Sequence, residues 1–183
     1  MGDYDAEISM IASSNGYIYA LRKYAKTIDV YSLAKCAEFS TCRPDFSITY
    51  ATLKGMGIRY FSPQSIVTDA QHPEVLFIKC LGSLIILDID NKQKLHLLDE
   101  IMSPATEVTN YQVAVSKNRM LIAAYPNHLY EYSLEQLYTY NMVTLVKTLS
   151  LYNMTLQPSA DVEFSDYDGT AYVNAVDPVK NVS

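Results

Sequence analysis

Apolar and polar positions alternate in short runs, and the same order returns along the chain. Ile11 to Tyr19 reads as a β-branched strand, a tight turn at Asn15-Gly16 and a second apolar strand; Ile66 to Ile78, Val113 to Ile122 and Val162 to Val173 repeat it. A period of two predicts strands with one covered face. Asn15-Gly16 and Asp168-Gly169 are hairpin turns by composition, because primed turns need positive φ, which Gly supplies freely and Asn or Asp tolerates. A third strand follows the first three copies, at Thr27 to Leu33, Ser83 to Ile89 and His128 to Leu134. Ile28, Leu84 and Leu129 align there with separations of 56 and 45 residues, the range expected of one four-stranded repeat. Fourth strands are predicted at Cys36 to Phe39, Lys94 to Ile101 and Met142 to Leu151. In the last of these, Val143, Leu145, Leu149 and Leu151 share one parity and predict one buried face.

These segments resemble blades of a β-propeller, in the broad group of WD40-like and YVTN-like repeats. Val162 to Val173 is similar to the hairpin between the first two strands of a blade. The chain has no Trp, so the Trp-Asp dipeptide of WD40 repeats has its nearest analogues in Leu87-Asp88 and Tyr132-Ser133. The fold class expected is all-β, in antiparallel four-stranded blades. An antiparallel sandwich would use similar strands and turns; the repeated order of strand, turn, strand, loop, strand favours the propeller.

The expected blade copies are residues 8–43, 64–102, 111–152 and 160–183, in one propeller segment spanning 1–183. Residues 44–63 stand outside them as an extra hairpin around Gly55-Met56-Gly57, or a linker. About three and a half blades result, whereas closed propellers have four to eight. Either the remaining blades lie on another polypeptide, the preferred reading, or a four-bladed ring closes by strand exchange through Phe46 to Phe61. Helix is expected only in short turns around Leu33 to Ala37 and Ser133 to Tyr138, where Leu, Ala, Lys and Glu favour it. Ile18, Leu76 or Phe77, Leu121 and Tyr172 are expected at equivalent second-strand positions.

The 183 residues are 49% hydrophobic and include 16 Tyr, enough for an ordinary core and suited to pleated surfaces. A net charge of −6 argues against nucleic acid or an anionic membrane as partner, since both require a basic footprint. Arg22, Lys23 and Lys26, the densest basic cluster, read as a solvated strand end. No run is long enough to insert in a bilayer, and the acidic Met1 to Asp5 is no signal peptide. Cys36, Cys42 and Cys80 fit neither a disulfide framework nor a zinc site, so a reduced, intracellular, cytoplasmic protein is expected. The sequons at Asn153 and Asn181 would matter only outside the cell.

No catalytic, cofactor-binding or metal-ligating residue is assigned. His72, His96 and His128 each lack a second ligand at metal spacing. Asp88-Ile89-Asp90-Asn91 and Asp166-Tyr167-Asp168-Gly169 touch on calcium loops but do not continue to a closing Glu, and read as turns in which Asp caps backbone amides. The function expected is a non-enzymatic protein-docking scaffold in a larger assembly, with partner proteins that include the chain carrying the remaining blades. A propeller enzyme or small-ligand binder using the channel, and an extracellular adhesive propeller, are the alternatives.

Overall fold

In the computed structural model, Asn15 and Gly16 take φ of 49° and 74° and join β1 (Met10–Ser14) to β2 (Tyr17–Arg22), with Ser14 opposite Tyr17. Positive φ at both positions matches the turn to the twist of the hairpin. β3 (Thr27–Ser32) lies on β2 with Ile28 opposite Leu21. The residues described are 8–38, 42–90, 94–102, 111–151, 155–156, 162–165, 170–173 and 175–176. They fall into two units, Met1–Ile101 and Met102–Ser183.

In the first unit the chain departs from expectation after β3. Leu33–Glu38 is a helix, α1, where Cys36 to Phe39 was expected to be a strand; Phe39 itself lies outside the described residues. The fourth strand of the sheet is β4 (Phe46–Ile48), which places Ile48 opposite Ile28. Leu, Ala, Lys and Glu favour helix over Leu33–Glu38, and pairing at β4 buries Ile48 completely. The hairpin expected around Gly55-Met56-Gly57 is instead a helix, α2 (Tyr50–Lys54). Thr49 caps it, its hydroxyl accepting from the Thr52 amide at 3.3 Å while Thr52 Oγ1 accepts from the Thr49 amide at 3.3 Å, a reciprocal cap worth about 1 kcal/mol. Gly57 then turns the chain with φ of 93°.

The second sheet of this unit has the order β5 (Pro63–Thr68), β6 (Val75–Cys80), β7 (Ser83–Asp88) and β8 (His96–Met102). Alternate residues of both sheets meet in one core: Tyr19, Leu21, Ile28 and Val30 from the first, Leu76, Ile78, Ile85 and Leu87 from the second. Each contributes about 1.5–3 kcal/mol by leaving water. Phe77 and Ile86, on the opposite face of β6 and β7, are also fully buried, which is why these strands read as unbroken apolar runs.

In the second unit β9 (Tyr111–Ser116), β10 (Arg119–Ala124), β11 (His128–Ser133) and β12 (Thr144–Ser150) form a sheet in the same order. A short helix, α3 (Leu137–Tyr140), precedes β12 and overlaps the expected Ser133 to Tyr138 turn. Beyond β12, β13 (Thr155–Leu156) pairs with β16 (Ala175–Val176), and β14 (Val162–Phe164) with β15 (Ala171–Val173). Val162 packs against Ala114, Leu121, Ala123 and Leu129, so this hairpin covers one face of the sheet.

Two expected placements change. The register shifts between Glu131 and Tyr132, with Leu145 opposite Tyr132 but Lys147 opposite Glu131. The extra residue turns Leu145 and Leu149 to opposite faces of β12, and every residue of that strand is exposed; the shared buried face does not form. Among second strands, the cross-strand pairs Leu21 with Ile28, Lys79 with Leu84 and Ala123 with Leu129 align the sheets. That register makes Tyr19, Phe77 and Leu121 equivalent. Ile18 faces the other way, and Tyr172, opposite Glu163, is 61% exposed.

Candidate functional site

In each of the three four-stranded sheets the first strand in chain order, β1, β5 or β9, forms one edge. β1 lies against β5 in the first unit, and β9 against β14 in the second. Met-Ile-Ala-Ser-Ser, Pro-Gln-Ser-Ile-Val-Thr and Tyr-Gln-Val-Ala-Val-Ser make up β1, β5 and β9. They carry aliphatic and amide side chains together with the hydroxyls of Ser13, Ser14, Ser65, Thr68, Ser116 and Tyr111, and Tyr111 is the one titratable group among them. Their polar atoms join neighbouring strands: Ser14 Oγ donates to the Pro73 carbonyl at 3.0 Å and Thr68 Oγ1 to that of Ser13 at 3.5 Å.

The residues weighed in the sequence are dispersed. His72 lies 3.6 Å from Glu74 Oε1 through Nδ1, His128 stacks on Tyr130 with ring centroids 6.0 Å apart, and His96 is exposed at the start of β8. Among the described residues no three metal-ligating side chains cluster. Asp88 Oδ1 accepts from the Asp90 amide at 2.8 Å, the backbone-capping turn expected of it. Asn91, the loop Asp166 to Gly169, and the sequons at Asn153 and Asn181 lie outside the described residues.

The basic cluster is divided. Arg22 Nε contacts Asp29 Oδ2 at 2.6 Å, and Ser47 Oγ donates to Asp29 Oδ1 at 2.6 Å, so Asp29 is held on a buried position by two partners. Lys26 lies 5.5 Å from the centroid of the Tyr60 ring, a cation on an aromatic face. Lys79, overlooked in the sequence, is 9% exposed on β6, and burial together with the charge of Lys23 pushes its ammonium down to about 8. Burial raises the neighbouring Cys80 thiol to about 12.

Cys36 and Cys42 are joined as a disulfide, with Cα atoms 4.8 Å apart, which corrects the expectation of reduced cysteines. Odd cysteine count obscured it, because the third, Cys80, is buried in the core away from the bond.

Beside this bond the first unit contains a cleft of about 810 Å³ between the outermost strand of one sheet and the approach to the outermost strand of the next. Phe46, Met56 and Leu95 supply its apolar surface, and Tyr17, Ser47 and Thr52 bring hydroxyls. Lys35, Asp45 and Lys94 bring charge, with Lys35 Nζ bonded to Asp45 Oδ1 at 2.6 Å. That bond raises the Lys35 pKa and keeps the ammonium charged. The lining comes from β2, α1, β4, α2 and the turn before β8, so no local motif announces it. Its volume and mixed lining fall in the range of small-molecule clefts.

Solved structures similar to this chain include propellers. The β-propeller domain of Cps50 (Swd1) from Myceliophteria thermophila superposes with a TM-score of 0.65 at 10% identity, over 91% of this chain and 49% of that one. Sqt1 of Saccharomyces cerevisiae gives 0.59 at 13%, over 91% and 48%. The periplasmic gluconolactonase PpgL of Pseudomonas aeruginosa gives 0.57 at 13%, over 93% and 54%. The chain therefore spans about half the length of the structures it resembles. No family model matches it, and no curated protein matches it. The fold is that of β-propeller blades.

Proposed function

We propose that the protein is a non-enzymatic docking scaffold, one segment of a larger propeller within a protein assembly, with blade copies near 8–43, 64–102, 111–152 and 160–183, the first extended to Ile48 by β4. The observation that carries this reading is the chemistry of β1, β5 and β9. A channel enzyme requires nucleophiles activated by acids or bases in perturbed environments, and β1, β5 and β9 bring hydroxyls with no carboxylate, imidazole, thiol or amine among them. The outer cleft and the exposed β12 offer surface for protein contacts instead. Propellers that dock and propellers that catalyse both occur among the similar structures, so the argument rests on these residues and not on likeness.

The partners are proteins; the acidic chain is poorly suited to nucleic acid, and among the described residues no helix is long and apolar enough to cross a membrane. The protein acts in an intracellular compartment. The Cys36–Cys42 bond favours a second reading, an exported adhesive propeller, because disulfides persist in oxidising surroundings. The test is affinity purification of the intact gene product, followed by reconstitution of the purified pair and sedimentation. A defined complex that needs this chain supports the scaffold. Hydrolysis or ligand turnover by the purified protein alone would replace it with the channel enzyme, and recovery of the protein from the cell exterior would favour the adhesive reading.

A further inference from the structure

We propose that one end of the first unit, where the β2–β3 turn, the segment leading into β5 and the β6–β7 turn converge, is a docking surface for an acidic segment of a partner protein. This rests on the docking reading above and names the chemistry of what docks. Three interactions bring the segments together. Lys26 Nζ lies 5.5 Å from the centroid of the Tyr60 ring, and the Leu81 amide donates to the Ser62 carbonyl at 3.0 Å. Lys79, two residues before Leu81, has its ammonium lowered by burial and by the charge of Lys23, so these two lysines stand within electrostatic reach of each other.

Charge chooses the occupant. Lys23, Lys26 and Arg59 are exposed, and among the described residues none of them has a carboxylate within ion-pair distance. Arg22, by contrast, is held by Asp29. Glu100 also reaches this end, where its charge adds to burial in raising the Cys80 thiol; one carboxylate does not neutralise three unpaired cations and Lys79. Like charges gathered in this way repel one another, and an anionic partner relieves them. In a chain of net charge −6, such a patch steers acidic segments toward itself. Exposed Tyr24, Tyr60 and Leu81 belong to the same three segments, and aromatic and arginine side chains are what protein-contact surfaces concentrate. A nucleic-acid strand fits less well, because it needs a positive groove that follows its backbone, and Asp and Glu exceed Lys and Arg in this chain by 20 to 14.

The surface is formed in advance. The Lys26 amide donates to the Lys23 carbonyl at 3.3 Å and closes the first turn, with Lys26 at φ of 54°, while Gly82 turns the chain after Leu81 with φ of 90°. Tight turns hold their side chains in place and limit the entropy lost on docking.

Fluorescence anisotropy on the full chain tests the proposal. The probe is a fluorescein-labelled peptide of alternating glutamate and leucine around one phenylalanine; its counterparts are the same peptide with lysine for glutamate and an oligothymidine of equal charge. The acidic peptide should bind, weaken as salt is raised, and outcompete both counterparts. Lys23→Glu combined with Arg59→Glu should weaken it about tenfold, by the loss of two attractive charges and the gain of two repulsive ones. Tyr24→Ser should weaken it about threefold through lost apolar contact. Lys117→Glu, in a turn of the other unit, should leave it unchanged. Equal binding of the two peptides to the wild-type chain, a measurement that needs no variant, would overturn the proposal, and tighter binding of the oligothymidine would overturn it in favour of nucleic acid. Unaltered affinity in the charge-reversed variant with the wild-type unfolding midpoint would also sink it. A partner that sediments equally with wild type and the charge-reversed variant removes this surface as its site and leaves the scaffold standing. Absence of any partner alongside selective, charge-dependent peptide binding keeps the surface and sinks the scaffold alone.

Discussion

Strands β8 and β12 hold the same outermost place in their sheets and are each seven residues long. On β8, Leu98 is 7% exposed and Leu97 packs against the shared core; on β12, Leu145 and Leu149 are 49% and 41% exposed. Both strands carry apolar residues, so composition does not separate them. Covering does. In the first unit the two sheets present apolar faces to each other, and α2 adds Leu53 to the same core. In the second, the β14–β15 hairpin packs against β9 and β10, the inner part of its sheet, and leaves the outer strand open. A blade's outer strand is thus stabilised by its neighbours rather than by its own pattern.

The strongest way to break the comparison is to remove equivalent volume from its two sides. Leu84→Ala, on the fully covered β7, should cost about 2–5 kcal/mol in chemical denaturation, whereas Leu149→Ala on β12 should cost less than about 0.5 kcal/mol. Similar losses at both sites would mean that β12 is covered in solution, and the contrast between the units would collapse.

A buried cation sharpens the same contrast through pH. Lys79 has a folded pKa lowered from 10.5 to about 8, so between these values the unfolded chain binds more protons and stability rises with pH. Cys80, raised from 9.0 to about 12, acts in the opposite sense above pH 9, as does Tyr19, raised from 10.0 to about 12. The rise should therefore be visible between about pH 8 and 9 in urea midpoints. Lys79→Met should abolish it and raise stability at neutral pH by on the order of 2 kcal/mol. A variant that retains the rise would show that another group causes it.

Thr49→Ala removes the reciprocal cap of α2 and should lower the unfolding free energy by about 1 kcal/mol. An unchanged midpoint would show that packing of Leu53 alone holds that helix. The smallest effect on stability is expected at the open edge: Val146→Lys, at a position 61% exposed, should shift it by less than about 0.5 kcal/mol. Its effect on association should be plain in light scattering, because a charge on an exposed apolar edge discourages strand pairing. A wild-type chain that stays monodisperse at all concentrations would show that β12 is not a sticky edge.

Much of the blade architecture was legible because its signals are local. Asn15-Gly16 required a hairpin, and the third strands at Ile28, Leu84 and Leu129 carry their own alternation. Ile18 and Tyr19 are not separated by the sequence, because alternation alone leaves open which parity faces the neighbouring sheet. Phe46 to Ile48 is expected in an extra hairpin outside the first blade, and only its pairing with β3 shows that it is that sheet's fourth strand. The cleft left no trace in any local pattern, since its lining runs from Tyr17 to Leu95 through five separate segments.

By itself the sequence determined the first three strands of each four-stranded sheet, the repeated order and the acidic charge, which are written in local pattern and composition. Tertiary structure decided which face of each strand is buried, the bulge that turns Leu149 away from Leu145, the Cys36–Cys42 bond and the cleft beside it. Those features depend on register and on which elements meet in space. Because side-chain direction reverses with every residue, a one-residue shift changes the face presented, and composition along the chain does not record it.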